Sequence, residues 1–178
     1  MKRVSERISI EEEKSKTRIE ISAQIESWKR SLLISWFAAW TFCGIVVGTQ
    51  LFGELSRELL IAVVVYISFW AYFEYKIAYA VLWRLFGKEI IEVEGGMMRV
   101  KRDIKGYGKV VQYFKENINR MRLMEDNAKS FAQTFNKSFW VVGGEQIVFE
   151  SLGASQGFGL QLEREEAKKL LQYLRRKI

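Results

Sequence analysis

Apolar and polar positions alternate with three different periods along the chain. Residues 31–53, SLLISWFAAWTFCGIVVGTQLFG, carry no charge over twenty-three positions. As a helix this run is roughly 34 Å long, enough to cross a bilayer core of about 30 Å. It is not a signal peptide, whose apolar region is shorter and stands closer to the N-terminus. Residues 54–58, ELSRE, form a polar turn, and LLIAVVVYISFWAYF, 59–73, starts a return span. That run is too short to cross alone, so the helix must continue through Glu74 and Lys76. Counted from Leu55, Glu74 lies nineteen residues along, about 28 Å into the membrane and near its far edge. Both side chains are expected to reach the headgroups by snorkelling. An intramembrane proton or ion site at Glu74 is the less favoured reading, because the first span offers only Ser35, Thr41, Thr49 and Gln50 as polar partners.

After Gly87 the period becomes two. EIIEVE, Gly95-Gly96 and MMRVKRDI predict a β-hairpin with a two-residue glycine turn. This register pairs Val93 with Met98 and Ile91 with Val100 on one face. On the other it pairs Glu92 with Arg99 and Ile90 with Lys101. Further strands are expected at 109–115, 118–124, 138–142, 145–151 and 156–162. The closing EREEAKKLLQYLRRKI has helical spacing, with Ala167, Leu170, Leu171, Leu174 and Ile178 on one face. Near the N-terminus, RISIEEEKSKTRIEIS predicts a second hairpin around Lys14-Ser15. It pairs Ile10 with Ile19, Ile8 with Ile21, Glu11 with Arg18 and Glu13 with Lys16. A lone hairpin is marginal, so this one is expected to dock on the sheet domain.

The expected fold class is a membrane α-helical hairpin plus α+β. Two transmembrane helices are followed by an antiparallel sheet of seven strands, a small barrel or sandwich, capped by a C-terminal amphipathic helix. The expected divisions are an N-terminal arm at 1–27, the helical hairpin at 28–87 and a cytoplasmic sheet domain at 88–178.

Charge sets an orientation. The net charge is +7. Eight basic residues fall in the first thirty positions, whereas the 54–58 turn has only Arg57. The positive-inside rule therefore puts both termini in the cytoplasm, with Trp28 and Trp83 as interfacial aromatics on that side. Histidine is absent and Cys43 is the one cysteine. This excludes a His general base, a Ser-His-Asp triad, His-ligated zinc, a cysteine metal cluster and a disulfide framework. No catalytic residue, cofactor or metal ligand is expected.

Gly44-Ile-Val-Val-Gly48 is a small-xxx-small motif that lets helix backbones approach closely. It serves either packing within the hairpin or contact with another protein's helix. Trp36, Trp40 and Trp70 are candidate contacts to a membrane partner. Arg99, Lys101, Lys105 and Lys109 form a candidate surface for an anionic leaflet. No recognition helix or base-stacking motif argues for nucleic acid.

The arrangement of hairpin, two spans and WRLFGKEIIEVEGGMMRVKRDIKGYGKVVQYFKENINRMRL, closing on FGLQLEREEAKKLLQYL, resembles an uncharacterised family of bacterial two-helix membrane proteins. The shared features are the FGKE junction, the glycine hairpin, the Gly106-Tyr-Gly108 turn and the terminal helix; the stretch 125–140 departs most. The resemblance implies a pleckstrin-homology-like sheet domain and no activity. The expected function is a non-enzymatic accessory or scaffold subunit of a larger complex in the bacterial inner membrane, with other integral membrane proteins and lipids as partners. The alternative is a pleckstrin-homology-like module that binds anionic lipid or docks a protein by itself.

Overall fold

The computed structural model describes residues 2–125 and 138–177. Strands β1 (Lys2–Arg3), β2 (Ile8–Glu12) and β3 (Lys16–Ser22) lead into helix α1 (Ser27–Thr49). A 3-10 turn (Gln50–Phe52) leads on to helix α2 (Arg57–Phe86). Strands β4 (Gly87–Glu94), β5 (Met97–Ile104), β6 (Val110–Phe114), β7 (Ile118–Leu123), β8 (Glu145–Ser151) and β9 (Ala154–Leu160) precede the closing helix α3 (Arg164–Leu174).

Both long helices are apolar enough and long enough to span a membrane. Ser56 caps α2 by accepting from the Leu59 N–H, and Glu58 in the first turn suits the helix dipole. The helix passes into β4 with no linker. The N–H of Gly87 bonds the Trp83 carbonyl, and a Cβ at Gly87 would fall 2.4 Å from that oxygen. Glycine is what allows the chain to leave the helix against the Trp83 ring.

The strands form two sheets, one of six strands in the order β1 to β6 and one of three, β7-β8-β9. All the pairings are antiparallel. This corrects the barrel: the described strands do not close on themselves. The expected strand at 138–142 is also absent. Ser138–Val142 are turns and bends instead, lying against the helix pair through Trp140 and Trp36. Aromatic and β-branched content read as strand there, where tertiary contact with the helices decides the backbone.

The two hairpin registers are as the alternation predicted. Ile10 faces Ile19, Ile8 faces Ile21 and Glu11 faces Arg18. Val93 faces Met98, Ile91 faces Val100 and Glu92 faces Arg99. Gly95 and Gly96 have φ of +55° and +79°, the left-handed values that a two-residue primed turn needs. The N-terminal hairpin continues the large sheet: β3 pairs with β4, with Ile19 opposite Ile91 and Ser22 opposite Lys88.

One core joins these layers. Ile8, Ile10, Ile19 and Ile21 from the N-terminal hairpin pack with Ile91, Val93 and Met98. Ile147, Phe149 and Phe158 come from the small sheet, and Ala167, Leu170, Leu171 and Leu174 from α3. Ile178, expected on the same helical face, lies outside the described residues. Glu163 and Glu166 form a capping box at the start of α3.

Candidate functional site

Three groups of residues carry the chemistry of this chain: the seam between α1 and α2, the junction below it, and the basic surface of β5 with the turn after it.

In the seam, Gly44 is buried against Trp70. A Cβ at Gly44 would fall 1.8 Å from Cε2 of the indole. The same indole donates from Nε1 to the Trp40 carbonyl at 3.0 Å. At Gly48 the nearest atom to a built Cβ is Cδ1 of Ile67 at 3.8 Å, ordinary contact. Gly44 is therefore the close approach, and its neighbour belongs to the same hairpin. Trp70 is directed into this seam. Trp36 is 50% exposed; it stacks on Trp40 with centroids 6.4 Å apart and meets the edge of Trp140 at 6.0 Å.

Glu74 also turns into the seam, which corrects the snorkelling expectation. Thr41 Oγ1 lies 2.7 Å from Glu74 Oε1 and 2.8 Å from the Phe37 carbonyl. Its single proton serves one acceptor at a time. Glu74 Oε2 and Trp40 Nε1 are buried with no hydrogen-bond partner. The sequence contained the partner, Thr41, but linear counting could not show that the two face each other. Lys76 does point outward, its Nζ 5.6 Å from the Tyr72 ring centroid.

At the junction, Arg84 is only 1% exposed. Its guanidinium donates to the Ala23 carbonyl at 3.4 Å, the Phe139 carbonyl at 3.4 Å and the Val141 carbonyl at 3.1 Å, and to the Gln161 side chain. One planar donor fork therefore ties the last turn of α2 to the end of β3, the 138–142 turn and the end of β9. Trp83 beside it is buried with Ala23 and Leu160. It is a core residue, which corrects its expected interfacial place.

Arg7 reinforces the same point, donating to the carbonyls of Ser22 at 2.9 Å, Gln161 at 2.6 Å and Leu160 at 3.3 Å. Burial pulls its pKa below the ordinary value against the pull of Glu166, Glu89 and Glu163. Glu89, 1% exposed, accepts from the N–H groups of Gly159 at 2.8 Å and Leu160 at 3.0 Å. Its other oxygen faces Arg102 Nε at 3.5 Å. Desolvation outweighs these favourable contacts and raises its pKa. Burial works against the Arg102 cation, but Glu89 and Glu145 together hold its pKa above the ordinary value. Left-handed φ at Gly159 (+74°) and Gln161 (+51°) presents their amide and carbonyl groups to these side chains.

None of Arg7, Arg84 and Glu89 stood out in the sequence. Each sits in a segment whose period is dominated by its apolar neighbours. Only the final fold shows that three distant charges meet at residues 159–161.

The register of β4 and β5 separates the four basic candidates. Gly87 faces Ile104, whereas Arg99 faces Glu92, five residues further from the helices, or about 17 Å. Arg99 is paired with Glu94 at 3.2 Å. Lys101 holds Asp103 at 2.5 Å and the Gly106 carbonyl at 2.7 Å, and the Lys101 ammonium lowers the Asp103 pKa. Lys105 alone reaches the helix, with Nζ 3.7 Å from the Phe86 ring centroid. Lys109 follows in the same turn, beside Tyr107, which is 83% exposed. Lys105 lies at the helix end and Arg99 furthest along the strand, while Lys101 reaches the turn after β5 from between them.

Among the described residues, no group of three acidic, cysteine or histidine side chains is placed to hold a metal ion. Comparison with protein-family models, curated proteins and solved structures finds no match.

Proposed function

We propose that this chain is a non-enzymatic integral membrane protein of the bacterial cytoplasmic membrane, with both termini cytoplasmic. It serves as an accessory or scaffold subunit of a larger membrane complex. The observation that carries this reading is the Arg84 junction. A buried guanidinium tied to two backbone segments, at Ala23 and in the 138–142 turn, and to the Gln161 side chain makes the helix pair and the sheets one body. Hydrogen bonds to a charged group contribute about 1.5–3 kcal/mol each, and an uncompensated buried cation is costly. Such an elbow holds a cytoplasmic docking face at a set angle to the bilayer, which suits a scaffold. The basic segments flanking the helices support the orientation. The pleckstrin-homology-like character of the sheets remains part of this proposal.

The test is affinity purification from gently solubilised bacterial membranes. Defined integral membrane proteins should accompany the chain. Recovery of a lone monomer under several mild detergents would contradict the accessory role.

A second reading, a lipid-surface module, has one observation in its favour. Lys105 packs on Phe86 at the end of α2, which supports a place for the 105–109 turn near the headgroups. If this reading holds, vesicle binding depends on Lys105 and Lys109 and is indifferent to Arg99.

A further inference from the structure

The outer surface of the helix pair carries a groove of about 590 Å³. Trp36 of α1, Tyr72, Phe73, Lys76 and Ile77 of α2, and Trp140 from the 138–142 turn line it. Trp140 closes one end by packing its edge on Trp36 and lying 4.6 Å, centroid to centroid, from Phe139. The carbonyls of Phe139 and Val141, on either side of Trp140, are held by Arg84. The wall is therefore fixed to the helix pair.

We propose that this groove is a binding site for one anionic phospholipid. An acyl chain lies along the aromatic and aliphatic walls, and the headgroup phosphate is held by Lys76. The site rests on the reading that the helix pair spans a bilayer. Its place in the fold fits: Lys76 is eight residues before Arg84, about 12 Å along the helix, so the groove begins on the bilayer side of the junction. Its chemistry fits as well. Among the described residues the walls are apolar, and Lys76 is the one charged side chain that lines it. Among the described residues no carboxylate pairs with Lys76, which contacts only the Tyr72 ring face. A cation without a counter-ion above an apolar trough complements an anionic headgroup above an acyl chain. The volume lies within the range of about 300–1,000 Å³ typical of small-molecule sites, enough to take part of a lipid while the rest stays in the bilayer.

The test is native mass spectrometry of the full chain released from vesicles of phosphatidylcholine and phosphatidylglycerol in equal parts. The wild type should retain phosphatidylglycerol in preference to phosphatidylcholine. Lys76→Gln should reduce that preference about fivefold, as expected for one cation at an anionic surface. Trp140→Ala should reduce total retained lipid. Lys14→Gln, exposed between β2 and β3, should leave both unchanged. Equal retention of the two lipids by the wild type, or an unaltered preference in Lys76→Gln that melts like the parent, overturns the site. Carbonate extraction of the membranes separates the two levels of the proposal. A chain that stays in the membrane without lipid preference loses only this site, whereas a chain that washes off loses the membrane reading as well.

Discussion

Gly44 and Trp70 share one position in the α1–α2 seam: a Cβ on Gly44 would fall 1.8 Å from the indole, inside any possible contact distance. Because that indole also bonds the Trp40 carbonyl, it cannot move aside without losing its own partner. Gly44→Ala should therefore destabilise the helix pair by about 1–3 kcal/mol, the usual cost of overpacking. Gly48→Ala, with its nearest contact at 3.8 Å, should stay within about 0.5 kcal/mol of the parent. Thermal melting of both variants in the same detergent checks this. Equal melting temperatures for the two would show that the seam is looser than the geometry requires.

Arg84→Lys should weaken the junction although it keeps the charge. An ammonium has no planar fork with which to reach the carbonyls of Ala23, Phe139 and Val141 together. Losing two such bonds to a charged group corresponds to about 3–6 kcal/mol. Limited proteolysis of the full chain should show faster cleavage near 138–142 in the variant, with the helix pair left intact. Unchanged cleavage would mean that the turn is held by Trp140 alone.

Ile19 is fully buried, opposite Ile91 in the large sheet. Ile19→Ala should cost about 2–5 kcal/mol. The loss should appear as unfolding of the whole sheet region rather than of the N-terminal arm alone, because the same core holds Phe149, Phe158 and Leu170. Hydrogen exchange followed on β4, β8 and α3 distinguishes the two: protection lost only in β2 and β3 would show an independent arm.

The pH dependence of stability follows from Glu89 and Asp103, which act in opposite senses. The pKa of Glu89 is raised by burial, so the folded chain holds that proton more tightly than the unfolded one. Its contribution is full at acid pH and is lost as pH rises through the raised value. The pKa of Asp103 is lowered, first by Lys101, so its contribution is present above the ordinary carboxylate range and lost on acidification. In Glu89→Gln the first effect disappears. Urea midpoints across a pH series should show the variant gaining stability relative to the parent as pH rises out of the ordinary carboxylate range. A difference that does not change with pH would mean that Glu89 titrates as an exposed carboxylate does.

Period carried most of the legible information. The strict alternation of Ile8, Ile10, Ile19 and Ile21, and of Ile91 and Val93, set two registers correctly, because a slip of one residue would turn every one of these side chains to solvent. The spacing of Ala167, Leu170, Leu171 and Leu174 likewise identified the buried face of α3. Period failed where a tertiary contact decides conformation. Ser138–Val142 read as a strand, yet Trp140 and the Arg84 donors hold the segment as a turn. Single charges inside apolar segments were equally opaque. Glu74 was read from its distance along a helix and Arg84 did not stand out, but each is placed by a partner on another segment, Thr41 in one case and the 138–142 turn in the other.

The central claim, that the helix pair docks on other integral membrane proteins, is tested most directly by site-specific photo-crosslinking in native membranes. The crosslinker is placed at Phe42 or Phe69, whose side chains are 67% and 66% exposed on the helix pair. Buried aromatics dominate contact energies at interfaces, so at least one of the two positions should give a discrete protein adduct of constant mass. Adducts with lipid alone from both positions, in membranes where the chain is inserted and intact, would contradict the accessory role.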